Sequence, residues 1–98
     1  MSTDHRQQAK SRIEVLVAHL RTLPPDDTLR ALIAECESLV RAIAAFHMEG
    51  IRFRMYNVDR LLHRSPATFP APAVQLFNEA RQELEAAGFH TRSHQAPG

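Results

Sequence analysis

The sequence predicts an all-α protein, a helical hairpin with a long central helix and a third, C-terminal helix, joined with a second copy into a helical-bundle homodimer. Three observations carry this. Apolar residues recur at helical spacing through three segments of the 98-residue chain. Prolines stand at 24, 25, 66, 70, 72 and 97, between those segments or at their edges. Gly50 is the one glycine inside a segment.

Residues 1–5 are polar and are expected to fray. Ala9, Ile13, Leu16, Val17 and Leu20 form the first stripe. That helix should end near Thr22, because Pro24 and Pro25 cannot continue it and Leu23 precedes a proline. The stretch "PPDDT" is both a turn and a start signal. Asp26 or Asp27 can cap the next helix, and a carboxylate suits its positive end. The first two helices should pack as an antiparallel hairpin.

On the second helix, Leu29, Leu32, Ile33, Cys36, Leu39, Val40 and Ile43 form a stripe that His47, Ile51, Met55, Val58 and Leu62 extend at the same period. No proline interrupts before Pro66. Gly50 weakens the helix by about 1 kcal/mol relative to Ala. The expectation is a continuous helix from about Asp27 to about His63, roughly 55 Å long; the alternative is a break at Gly50.

The proline-rich connector "RSPATFPAP" has Phe69 as its apolar anchor. The third helix should run from Pro72 or Ala73 to Ala87, with Val74, Phe77, Ala80, Leu84 and Ala87 on one face and Leu76 beside them. Gly88 suits a left-handed residue after the helix, and Phe89 the hydrophobic contact of a Schellman ending. Residues 90–98 read as a flexible tail. The chain is therefore one domain over 1–98, ordered from about 6 to 89.

Helix one can cover only the first half of such a central helix, and helix three only the second. Each half then keeps an open apolar side. Breaking at Gly50 would close these sides within one chain; pairing of two chains would bury them between copies. The breadth of the stripe favours the homodimer. Charge agrees. Residues 26–50 carry Asp26, Asp27, Glu35, Glu37 and Glu49 against Arg30 and Arg41, and residues 51–64 carry four arginines against Asp59. Two antiparallel copies would set acidic half against basic half. The expected interface is His47, Gly50, Ile51, Arg52, Arg54, Met55 and Val58.

Composition narrows the function. The net charge of +1 is not that of a strongly basic nucleic-acid binder. One cysteine excludes an intramolecular disulfide, and its place on the stripe makes Cys36 a small core residue. No apolar run approaches a membrane span, and the polar N-terminus lacks the apolar core of a secretory signal, so a soluble, cytoplasmic protein is expected. Histidine phosphotransfer domains place a lysine and a small residue three and four positions after the phospho-accepting histidine. Gly50 and Ile51 stand there after His47, which therefore reads as a partly buried histidine of the packing face. Asp59 and His63 share a helix face, as would His90 and His94 in a helical tail, but no Glu-x-x-His pair of the di-iron type occurs. No metal site and no cofactor are expected.

No glycine-rich phosphate loop, nucleophile elbow or zinc-binding His-Glu-x-x-His is present. The reading is a small non-enzymatic binding or accessory protein, an adaptor or regulator, acting as a homodimer through protein–protein contacts. One alternative is a nucleic-acid-binding regulator using Arg52, Arg54, Tyr56, Arg60 and Arg64, although Arg52 and Arg54 fan apart around the helix. Another is a metal- or cofactor-binding bundle.

Overall fold

A computed structural model of the chain describes residues 4–64 and 69–89. The expected tail, with His90 and His94, and Pro66 of the connector lie outside these residues. The described residues form four helices and no strand: α1 (His5–Leu20), α2 (Asp27–Ala44), α3 (Met48–Arg64) and α4 (Ala71–Ala86). The all-α expectation holds. The three-helix arrangement with one continuous central helix does not.

Helix α1 starts on Asp4, whose carboxylate accepts the Gln7 N–H at 3.0 Å. It buries Ala9, Ile13, Leu16, Val17 and Leu20, the five residues its spacing picks out. Asp26 caps α2 by accepting the Leu29 N–H at 2.7 Å. The α2 stripe buries Leu29, Leu32, Cys36, Leu39 and Ile43, with Ile33 and Val40 packed beside them.

The break falls at residues 45–47, before Gly50. Phe46 is left-handed, with φ of 57°. Its N–H donates to the Ile43 carbonyl at 3.1 Å, and the His47 N–H donates to Ala42 at 3.0 Å. This is a complete Schellman motif. His47 then starts α3: its Nδ1 accepts the Gly50 N–H at 2.9 Å, which puts the proton of the neutral ring on Nε2. The chain turns back here because doing so lays Ile51, Met55, Val58 and Leu62 against its own α2, closing the side a straight helix would leave open.

Helix α1 lies between α2 and α4, α2 packs on α3, and α3 meets α4 only along a short seam. The extents are 39 × 36 × 21 Å, so the array is two helices thick. Phe69 is buried in the core, as its place in the connector suggests. Helix α4 buries Ala73, Phe77, Ala80, Arg81 and Leu84; Val74 is half-buried and Ala87 exposed, so its face is turned slightly from the one expected. At its end Gly88 has φ of 100°, the Gly88 N–H donates to Glu85 at 3.0 Å, and the Phe89 N–H donates to Leu84 at 2.9 Å. This second Schellman ending is the one expected from sequence.

Candidate interaction surface

Folding α3 back along α2 sorts the expected interface residues. Ile51, Met55 and Val58 lie wholly inside the chain's own core, with no surface to offer a partner. Gly50 is half-buried, and a Cβ added there would meet His47 Nδ1 at 2.7 Å and the Ala42 Cβ at 3.4 Å. The close approach that a glycine permits is therefore to the capping imidazole and to α2 of the same chain. His47 is exposed rather than on the packing face.

The arginines separate too. Arg54 Nη1 donates to both carboxylate oxygens of Glu35 on α2 at 3.1 Å, and Asn57 Nδ2 donates to the same carboxylate at 3.1 Å. The Arg54 guanidinium also lies 5.1 Å from the Phe53 ring centre. The acidic-to-basic pairing expected between copies is thus made by Arg54 within the chain. Arg52 is half-buried and 3.9 Å from Glu49 one turn earlier. Tyr56, Arg60 and Arg64, named for a nucleic-acid face, are exposed.

Asp59 and His63 are joined at 2.9 Å, and Asp59 also pairs with Arg81 of α4 at 3.4 Å. Arg81 is buried against Phe77, so this pair ties α3 to α4 across their seam. No group of three or more His, Cys, Asp or Glu side chains able to hold a metal occurs among the described residues. Burial, helped by Glu35 and Glu37, pushes the Cys36 thiol up to about 12. It stays protonated at neutral pH and is no nucleophile. A groove of about 380 Å³ between α1 and α2 is lined by Glu14, Val17, Glu37, Val40 and Arg41, with no hydroxyl, thiol, amine or imidazole side chain among them.

What the surface does concentrate is large apolar side chains. Val15 stands alone on α1, but Phe46, Met48, Phe53 and Tyr56 are all exposed on α3 or in the turn before it, with Phe53 46 % and Tyr56 37 % accessible. A folded surface always carries scattered apolar groups; four within eleven consecutive residues are a concentration. Sequence reasoning passed over Phe46 and Met48 as surface groups, and took Phe53 with Tyr56 only as stacking groups of the nucleic-acid alternative. The signal that could have marked Phe53 and Tyr56 as a contact face was a second line of residues on α3, opposite its buried one; Phe46 lies before that helix and Met48 off that line.

No helix among the described residues is long and apolar enough to cross a membrane. Compared with protein-family models, curated proteins and solved structures, the chain matches none.

Proposed function

We propose that this chain is a small non-enzymatic helical binding protein, an adaptor or regulator, that works as a homodimer through protein–protein contacts made by the outer face of α3. The observation behind this is the pair Phe53 and Tyr56, exposed in the middle of that face with Arg52 and Arg60 beside them. Aromatic residues and arginine are the side chains enriched where proteins meet. The core is closed within one chain, so association is between folded monomers and depends on concentration.

Sedimentation of the parent and of a Phe53→Ser/Tyr56→Ser variant tests this. Both sites are exposed, so the variant keeps its fold, as circular dichroism would check, and losing the Phe53–Arg54 contact costs about 1 kcal/mol. The parent is expected to approach twice the monomer mass with rising concentration, and the variant to remain a monomer. Equal association by both would exclude the α3 face as the contact.

A nucleic-acid-binding regulator is the second reading, supported by exposed Tyr56, Arg60 and Arg64. Arg54, held by Glu35, adds little to it, and Glu49 stands on the same face. Binding to duplex DNA would show a log–log salt slope of about 0.9 per phosphate contact.

A further inference from the structure

The exposed side of α3 has a period of its own. Glu49, Phe53, Tyr56 and Arg60 are all exposed and succeed one another at intervals of four, three and four residues. At about 100° per residue they fall on one line, on the opposite side of the helix from Ile51, Met55, Val58, Leu61 and Leu62. Alternating steps of four and three make the contact line of a coiled coil.

The order along this line is acid, aromatic, aromatic, base. Reversed, it is its own complement. Two copies of α3 laid antiparallel set Phe53 of each against Tyr56 of the other, and Glu49 of each against Arg60 of the other. A parallel pair would instead set Glu49 against Glu49 and Arg60 against Arg60, and like charges at neighbouring positions repel.

We propose that a second copy of this chain docks on α3 through an antiparallel two-helix seam, centred between Arg54 and Met55 and built from Glu49, Phe53, Tyr56 and Arg60. The proposal rests on the reading of the α3 face as a self-association surface, and adds its orientation and register. The contact is isologous, so every pair occurs twice and the assembly closes at two copies. Glu49 is accessible for it: its side chain is 83 % exposed and reaches Arg52 only at 3.9 Å. A purely acidic partner would leave Glu49 unexplained on this line. One helix pair is a small interface, so the dimer is reversible and concentration-dependent.

The test uses the full chain and two charge reversals, Glu49→Arg and Arg60→Glu, with sedimentation or native mass measurement. Each variant alone turns two attractive pairs into two repulsive ones, and its self-association should weaken on the order of tenfold. Mixed in equal amounts, the two restore both pairs in a heterodimer, which should form with the parent's affinity. A folding defect in either variant would not be rescued by mixing. If the parent dimerises and Phe53→Ser/Tyr56→Ser abolishes this, but neither reversal matters and mixing changes nothing, the register is overturned while the α3 face stands. A parent that stays monomeric throughout overturns both.

Discussion

At the end of α2 the left-handed residue is Phe46; at the end of α4 it is Gly88. The two endings share one hydrogen-bond pattern, and they touch: the rings of Phe46 and Phe89 meet edge to face with centroids 5.6 Å apart. Gly88 adopts its backbone without a Cβ penalty. Phe46 carries that penalty, about 1–2 kcal/mol. Its compensation comes from distant parts of the chain. The Phe89 ring lies on one side, the Arg6 guanidinium stands 5.3 Å from its centroid, and Arg6 Nη1 donates to the Ile43 carbonyl at 2.7 Å, at the negative end of α2. One ending is set by its local residue, the other by tertiary contacts made at the same corner of the molecule.

The largest expected effect removes what the two endings share. Phe89 is buried and contacts Phe46, so Phe89→Ala should lower unfolding free energy by about 3 kcal/mol, read by urea titration. A loss under about 1 kcal/mol would mean that the corner is not held together by this pair. A matched pair of substitutions then sharpens the contrast. Gly88→Ala meets open space, so its cost is backbone strain alone, about 1 kcal/mol. Phe46→Gly relieves that strain but gives up the ring contact, worth about 0.5–1.5 kcal/mol, and should come out near zero. If Phe46→Gly instead stabilises by the full relieved strain, about 1–2 kcal/mol, the Phe46 ring contributes nothing to the turn.

A smaller effect concerns the start of α3, immediately after Phe46. In an ordinary helix interior Gly→Ala gains about 1 kcal/mol. At Gly50 the new Cβ collides with the capping ring of His47, so the gain should be absent in the parent and reappear once His47→Ala has removed the cap. Thermal unfolding of the four proteins of this double-mutant cycle should give a coupling of about 1 kcal/mol. Additive effects would take the imidazole out of the helix start.

The same contrast explains what could be read from sequence. The α1 stripe, the Asp26 cap after Pro24 and Pro25, the buried Phe69 and the Gly88–Phe89 ending all rest on residues close in sequence, and all are found. The end of α2 has no glycine or proline at 45–47, and Ile43, His47, Ile51 and Met55 keep one helical period across the gap. What stops the helix is a phenylalanine whose stabilising partners, Arg6 and Phe89, are some forty residues away on either side. Local propensity cannot report such a contact. The hairpin that results buries Ile51, Met55 and Val58, and leaves Phe53 and Tyr56 facing outward.

Everything proposed for the outer face of α3 depends on that hairpin, and an intrachain distance tests it most directly. Arg30 and Arg60 are exposed, one on α2 well before the turn at 45–47 and the other on α3 a similar distance after it. Spin labels on Arg30→Cys/Arg60→Cys in a Cys36→Ala background, diluted with excess unlabelled chain so that only intrachain pairs are read, report their separation by pulsed electron resonance. The hairpin predicts a distribution centred below about 25 Å, the ~10 Å between packed helix axes plus the reach of two labels. A distribution centred near 45 Å, about thirty residues of unbroken helix, would contradict it.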